Sequence, residues 1–411
     1  MLPSKLALIV IKALPAQKQR RAAGFCLLLR SYNRAMAQHF DICIRGAGIV
    51  GRALALLLAR ERLRVALVAA PQTASKTQDV RAYALNGASK QLLDSLRAWP
   101  DAQHATPIQR MHVVGDGNSH VQFDAQEQGA EALTWIVDVP ALEQRLADAV
   151  RYQPLIEVVD APVAAPLTAI CEGRASSTRA ELGVEFDITP YPQTAIATRL
   201  DCAQPHHQVA RQWFSPLGIL AFLPLGGPQG SSVAVVWSAP KDIVPQWLEA
   251  EPEAFCDMLG SISQGTLGEL HLQGPRMAWP LQQAMAQRWC GSFPAHSPLA
   301  GSWVLVGDAA HNVHPLAGQG LNLGLADVHT LGQLLQQRKD WQSTGDLRLL
   351  RRYARTRQAA MLPIGLAMDG IQQLFGRTEP SLQVLRNWGM NQFERCTPLK
   401  HWITQQAMGL R

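Results

Sequence analysis

No uninterrupted apolar run in this 411-residue chain reaches the roughly 18 residues needed to cross a bilayer, so the chain reads as soluble or peripheral. Seven cysteines are present, at positions 26, 43, 171, 202, 256, 290 and 396, with no Cys-x-x-Cys pair among them. An odd, scattered set in a long chain excludes a disulfide framework and a zinc site, and implies reduced thiols in a cytoplasmic-type compartment. Internal repeats and low-complexity tracts are absent. So are a Ser-His-Asp arrangement, a metal-ligand cluster and an obvious acid pair, so no residue can be named as a general base. Charged residues are only 17% of the chain and hydrophobic ones 47%. That excludes a disordered chain and supplies core for two or three domains.

Acid is missing altogether from the first 35 residues, which carry Lys5, Lys12, Lys18, Arg20, Arg21, Arg30 and Arg34. These seven cations account for the whole formal charge of +6. The rest of the chain is near neutral, and a nucleic-acid footprint is not supported. Three readings of residues 1–38 stand side by side: a transit peptide, poor in serine for that role; a basic membrane-surface helix; and an extension upstream of a true start at Met36. The last is favoured, because the first strand-like segment begins only at Phe40.

What is present is concentrated in one stretch, Trp303 to Val328. Trp303–Val306 is a short apolar run that predicts a buried strand. Gly307 and Asp308 follow at its carboxyl end, where open α/β sheets place ligands. After Pro315, Ala317, Gly318 and Gly320, apolar residues recur at helical spacing: Leu321, Leu325, Val328, Leu331 and Leu335. Gly318, Gly320 and Asn322 therefore lie at a helix mouth, where free N–H groups and a positive dipole end hold negative charge. An acid facing such a mouth suits a flavin, whose ribityl chain carries hydroxyls and whose reduced ring carries negative charge. A glycine-rich connection without a ligand is the plain alternative for this stretch alone.

The other end of the chain carries Gly46-Ala47-Gly48-Ile49-Val50-Gly51 between an apolar strand from Phe40 to Ile44 and a helix-like run, Ala53–Arg60, followed by a strand, Val65–Val68. This is the β-α-β dinucleotide fingerprint in its proper context. Gly46 makes the turn, Gly48 admits a pyrophosphate, and Gly51 lets helix pack on strand. The fingerprint asks for an acid after the second strand to bind the adenosine ribose. Here Val68 is followed by Ala69, Ala70 and Pro71, with no acid before Asp79. Further on, Trp135–Val139 reads as a strand that Pro140 turns into a helix reaching Val150. Residues 184–288 read as strands, among them Thr194–Leu200, Trp213–Leu225 and Ser231–Trp237. His206 and His207 read as a polar hairpin tip, since neighbours on a strand face opposite ways and share an ion poorly. His311 and His314 read as support behind the flavin loop. Residues 339–411 read as helices.

Gly307-Asp308, His314-Pro315, Ala317-Gly318-Gln319-Gly320 and Asn322-Leu323-Gly324, with the Gly46–Gly51 fingerprint, resemble the aromatic-ring flavoprotein monooxygenases, most closely the ubiquinone-biosynthesis hydroxylases. The resemblance runs from about Phe40 to the C-terminus. It implies an α/β fold: a Rossmann-like FAD-binding domain (39–105, 139–183 and 289–358) interleaved with a mixed β-sheet substrate domain (106–138 and 184–288), then C-terminal helices (359–411). It implies that Gly46, Gly48, Gly51, Arg81, Gly307, Asp308, Pro315, Ala317, Gly318, Gly320, Leu321 and Asn322 hold FAD, with Arg81 running along the cofactor. Glu172-Gly173 stands where the family has Asp-Gly, preceded by too few residues for the usual strand meander, which implies a change at the NAD(P)H approach. The activity implied is hydroxylation of a prenylated phenol or quinol with NAD(P)H and O2 through a flavin C4a-hydroperoxide. The alternative is a weakly flavinylated or non-catalytic scaffold in a quinone-synthesis assembly. Contact with such an assembly, or with the inner membrane, is open on either reading.

Overall fold

The computed structural model describes residues 39–69, 79–115, 119–294, 297, 299–312, 319–375 and a few positions between 400 and 409. Gly46, Gly48, Gly51, Arg81, Gly307, Asp308, Gly320, Leu321 and Asn322 are among them. His314, Pro315, Ala317, Gly318 and the basic extension lie outside the described residues.

Strand β1 (Ile42–Arg45), helix α1 (Ile49–Arg60) and β2 (Val65–Val68) form the first unit of a six-stranded sheet. The helix begins four residues before the run Ala53–Arg60, because Gly48 is already its N-cap. Next come β3 (Ala82–Leu85), α2 (Gly87–Ser95), β4 (Ala105–Ile108), β5 (Arg110–Val114), β6 (His120–Asp124), β7 (Thr134–Asp138) and α3 (Val139–Arg151). Asp138 caps α3 by accepting from the Ala141 N–H at 3.2 Å, with Pro140 in the first turn. Then β8 (Ile156–Val159) and β9 (Leu167–Ile170) pair in parallel with β2 and β1. The short connection 160–166 joins them with no strand in it, as the missing meander implied.

Helix α4 (Ser177–Glu181) leads into β10 (Phe186–Cys202), β11 (Val209–Ser215), β12 (Gly218–Leu225) and β13 (Ser232–Pro240). The stretch Trp213–Leu225, read as one strand, is two: it breaks at Pro216-Leu217 and returns at Gly218, whose φ of 106° turns the hairpin. Residues 244–262, read as part of the strand region, form helices α5 (Val244–Glu249) and α6 (Pro252–Ile262). Each has proline in its first turn, and Phe255, Cys256 and Leu259 recur on one buried face. The chain ends its described course through β14 (Leu270–Leu272), β15 (Met277–Ala286), β16 (Cys290–Ser292), β17 (Ser302–Leu305), β18 (His311–Asn312), α7 (Gln319–Gln336) and α8 (Leu347–Phe375).

Three sheets result. The first has the order β16-β17-β9-β1-β2-β8, parallel except for the β16–β17 pair. Its parallel strands, taken in chain order, lie 3-2-1-4-5 across the sheet, and the order reverses between β1 and β9. The second has nine strands, β18-β15-β10-β13-β12-β11-β5-β6 with β14 on β10. The third is the small antiparallel sheet β3-β7-β4. The main core is built from β1, β2, β9 and β17 with α1, α3 and α7: Ile42, Ile44, Leu54, Leu58, Val304, Leu305, Val328 and Leu335 are fully or nearly fully buried. A second core under α5 and α6 centres on Trp237, Phe222 and Phe255.

His206 and His207 lie on the connection from β10 to β11, which are not neighbours, so this is no hairpin tip. His206 is wholly buried. Its Nδ1 accepts from the Gln208 N–H at 3.0 Å and its Nε2 donates to the Leu225 carbonyl at 2.9 Å.

The crossing from β1 to α1 is set by two glycines. Gly46 has a φ of 107°, and a side chain there would strike the Cys171 carbonyl; one at Gly51 would strike the Gly46 carbonyl oxygen. A methyl at Gly48, by contrast, meets nothing within 4 Å. Gly51→Ala is therefore expected to lower unfolding free energy by about 1–3 kcal/mol or more. Gly48→Ala should stay within about 1 kcal/mol of the parent, the scale of an N-cap change, and express its defect in dinucleotide affinity. Denaturant melts of both apo-variants, beside cofactor titrations, check the contrast; equal destabilisation by both would refute it.

Candidate functional site

The carboxyl ends of β1 and β9 open where the strand order reverses, which is where doubly wound sheets bind ligands. Helix α1 points its N-terminus into this crevice with no side-chain cap and no acid in its first turn, and Gly48 leaves the space before it clear. Its free N–H groups are placed to receive an anion. Gly46 donates its N–H to the Val68 carbonyl at 3.2 Å, which sets the end of β2 against the turn. Ala69, the next residue, hydrogen-bonds through its N–H to Val159. It stands at the position where the fingerprint expects the ribose acid, and it brings no carboxylate.

The second wall comes from Ser302 to Asp327. β17 is buried along all four residues and ends in a 3-10 turn, Gly307–Ala309, that carries Asp308. The chain then joins the nine-stranded sheet as β18, pairing His311 and Asn312 with Met285 and Ala284 of β15. One short segment thus belongs to both large sheets, with Asp308 between them. Asp308 is open to solvent, with protein packed around its carboxylate. That desolvation raises its pKa, Asp327 adds to the rise, and His311 and Arg174 oppose it. Among the described residues its carboxylate has no hydrogen-bond partner.

The turn is held from behind by Asp327, which is completely buried. Asp327 accepts from the Gly307 N–H at 2.8 Å, from His311 Nε2 at 2.7 Å and from Arg357 Nε at 2.6 Å. Burial alone would raise its pKa, but His311 and Arg357 hold it below the usual carboxylate range. His311 stacks on Trp289, Arg357 also donates to the Leu323 carbonyl, and Tyr353 donates to the Leu305 carbonyl. His311 is thus the supporting residue the sequence suggested. Asp327, Arg357 and Tyr353 were not singled out: Asp327 falls in the helical end of the Trp303–Val328 stretch and the other two in a later helix, each at an ordinary helical position.

Arg81 grips Asp79 through Nε and Nη2, the latter at 2.6 Å, and lies 3.5 Å from Glu143. The Asp79 contact raises its pKa further. Tyr83, on β3, lies within the fields of both Arg81 and Asp308; its own burial, foremost, raises its pKa. The structure so brings Arg81, Tyr83 and Asp308 to one side of the crevice. Arg199, from β10, braces this segment by bonding to Asp138 at 2.6 Å and to the carbonyls of Val80 and Arg81.

Asn322 is buried and its side chain is committed within the protein. Its oxygen accepts from the Asn86 N–H and the Ser89 hydroxyl, and its amide donates to Ala84. It therefore ties α7 to the β3–α2 segment and leaves its backbone and one amide hydrogen for a cofactor. Leu321 is buried in the main core, while a side chain at Gly320 would meet nothing within 4 Å. Glu172 pairs with Arg45 at 2.9 Å and accepts from Ser176 and from the N–H and hydroxyl of Thr178. Those bonds hold its pKa down against burial, which alone would raise it. Arg179, on α4, donates to the Ala309 carbonyl, so this acid-glycine segment is fastened to the Asp308 turn.

Open backbone at Gly48 and Gly320, an uncapped helix start and an unpartnered acid between them fit a flavin dinucleotide. Fold and site define an FAD-dependent oxidoreductase whose doubly wound sheet is joined to a second, nine-stranded one. The family model of the FAD binding domain matches residues 157–362, half of the chain, and the chain belongs to that family. It is 29% identical to ubiquinone hydroxylase UbiL of Rhodospirillum rubrum, covering 90% of this chain and 89% of that one. It is also 29% identical to 3-demethoxyubiquinol 3-hydroxylase of Escherichia coli, over 91% and 99% of the two chains. In three dimensions it resembles p-nitrophenol 4-monooxygenase PnpA of Pseudomonas putida, with a TM-score of 0.68 at 16% identity over 90% of this chain and 98% of that one.

Asp327→Ala is expected to cost about 3–5 kcal/mol, because it leaves Arg357 charged and buried without its partner. In the parent, Asp327 titrates lower folded than unfolded. Its contribution is therefore complete above the ordinary carboxylate pKa and is lost as pH falls through the folded value. Urea melts of parent and variant across acid pH should converge; a constant gap down to the lowest pH would contradict the assignment. Ala69→Glu should tighten FAD, since a hydrogen bond to an ionised group is worth about 1.5–3 kcal/mol, or tenfold and more in affinity. Titration of apo-protein with FAD tests it, and weaker or equal binding would place the ribose elsewhere.

Proposed function

We propose that the protein is an FAD-dependent monooxygenase that hydroxylates the ring of a prenylated phenol on the way to ubiquinone, using NAD(P)H and O2. The observation that carries this is the Asp308 carboxylate, unpartnered among the described residues and set between two glycine-opened helix starts. Bound FAD would supply the redox chemistry: it accepts electrons from NAD(P)H and activates O2. The chain supplies position, charge and dryness. The first-turn amides of α1 would hold the pyrophosphate, with Gly48 letting it approach. Asp308 would accept from ribityl hydroxyls. The start of α7 at Gly320 and Leu321 would face the flavin ring and stabilise negative charge there, with Pro315, Ala317 and Gly318 preceding it in the motif. Arg81, kept cationic by Asp79, would close the cofactor's other flank beside Tyr83. The nine-stranded sheet, reached directly from the Asp308 turn through β18, would carry the substrate. On this reading residues 39–105, 139–183 and 289–358 form the cofactor domain, and 106–138 with 184–288 the substrate domain. NAD(P)H would visit transiently, since the chain has one dinucleotide fingerprint.

Relatives of this kind, matched over nine tenths of the chain, favour the enzyme over a scaffold. The absorption spectrum of the purified protein is the direct test. A flavin band, with NAD(P)H oxidation stimulated by a prenylated phenol, supports the reading; no band even with FAD added sinks it. Asp308→Ala should abolish flavin binding and hydroxylation without loss of apo stability. The sign follows from the raised pKa. The fold disfavours the charged carboxylate, so the parent apo-protein loses stability as pH rises past the ordinary carboxylate value, and the variant escapes that loss. If Asp308 only capped a turn, the variant would lose typically about 1 kcal/mol and keep its flavin. Melting temperature and FAD affinity measured on the same apo-variant separate the two.

A further inference from the structure

Helix α8 has two faces of opposite character. Leu350, Tyr353, Ala354, Arg357 and Met361 are buried, and from there Tyr353 and Arg357 brace the Asp308 turn. The reverse face carries Arg348, Arg351, Arg352 and Arg355, all exposed. Spacings of three and four residues stack them in one stripe. No acid occurs between Leu347 and Leu362. Among the described residues none of the four guanidinium groups makes a hydrogen bond or an ion pair. Like charges at such spacings repel, so this face gains from an external anion. A hollow of about 420 Å³ opens between Arg348, Arg351, Ala354 and Arg355, with room for a phosphate-bearing group. Two exposed large apolar side chains flank the stripe along the chain. Leu362, two turns beyond Arg355 on the same line, is 64% exposed, and Trp341, in the connection leading into the helix, is 74% exposed.

We propose that this face docks the protein on an anionic phospholipid bilayer. Arginines would lie on lipid phosphates, with Trp341 and Leu362 at the boundary between headgroups and acyl chains. Basic residues flanked by exposed Trp and Leu are the composition of an interfacial helix; a purely ionic partner gives no reason for the two apolar side chains. No helix among the described residues is long and apolar enough to cross a membrane, so contact of this helical face would be superficial. The proposal rests on the functional reading only for its purpose: a prenylated phenol resides in the bilayer, and docking brings the cleft to it.

The test is co-sedimentation of the full-length flavoprotein with vesicles of phosphatidylcholine alone and of phosphatidylcholine mixed with phosphatidylglycerol. Binding is expected only to the mixed vesicles and should weaken as salt rises. Each basic residue near such a surface contributes about fivefold, so Arg351→Gln with Arg355→Gln should lower partitioning roughly tenfold or more. The basic residues before Met36 are unchanged in this variant and cannot account for the drop. Trp341→Ala should weaken binding further without altering its salt dependence. Both sets of side chains are exposed, so melting temperature and flavin content should match the parent, as should NAD(P)H oxidation with a detergent-dispersed short-chain phenol. The proposal is overturned if the parent binds both vesicle types equally, binds neither, or prefers a polynucleotide, or if the double variant partitions like the parent. Loss of flavin in the parent would instead overturn the functional reading and leave the vesicle result standing.

Discussion

A single buried carboxylate holds the cofactor side of the molecule in register. Asp327 lies on α7, but its three donors come from the Gly307 turn, from His311 on β18 and from Arg357 on α8. A charge in so dry a place is costly unless its lone pairs are filled, and here they are filled by groups from separate segments. The arrangement is therefore self-enforcing: any shift of α8, of the turn or of β18 strands a buried charge. Asp308 is the neighbour of a backbone N–H fixed in this way. Its direction follows from the bond to Gly307, while its own carboxylate stays free for a ligand.

Why the site lies at this junction follows from topology. A 3-2-1-4-5 order leaves a crevice where β1 and β9 send their connections to opposite sides. Gly46 and Gly51 allow the β1 connection to pass close to β9, and α7 in turn lies close on α1, where Gly324 and Gly332 admit Val50 and Leu57. The final strand of the parallel set, β17, then hands the chain to the nine-stranded sheet within six residues. Crevice and nine-stranded sheet are covalently adjacent there, joined by the same residues that carry Asp308. Glu172 and Arg179 reinforce the junction from the β9 side. The acid of this segment is saturated by Arg45, Ser176 and Thr178, which makes it a fastening of the local turn.

The residues readable from sequence were those whose chemistry is local. A glycine fingerprint between strand and helix, or an acid at a strand end before a glycine-rich helix start, carries its meaning within about twenty residues, and Gly46, Gly48, Gly51 and Asp308 all fall in the crevice. Asp327 and Arg357 gave no such signal, because their partners are distant in the chain and each occupies an ordinary helical position. The side chain of Asn322 has a structural task that the motif did not announce. Its three hydrogen bonds tie α7 to the β3–α2 segment. Helices α5 and α6 were hidden within a region of alternating strands, though their paired signals, early proline and the Phe255–Leu259 spacing, were there to be read. Strand neighbours were less legible still: nothing local near His206 says that β10 and β11 are separated in the sheet.

Charge shows the same limit in another form. Summed over the chain, the excess of cations is that of the first 35 residues, and the remainder is close to neutral. Neutral in sum is not neutral everywhere. Helix periodicity sorts the side chains of α8, sending Arg357 inward to Asp327 and four other arginines outward to solvent. One arginine is thus neutralised by a buried acid and stabilises the fold. The others meet no acid on their own helix between Leu347 and Leu362, and their field is left standing at the surface. A field of that kind acts over about 8–10 Å at physiological salt, so four charges stacked at helical spacing act together on whatever approaches. The helix that fixes the Asp308 turn on one side therefore presents a basic stripe on the other, and both properties follow from where a 3.6-residue period places arginine.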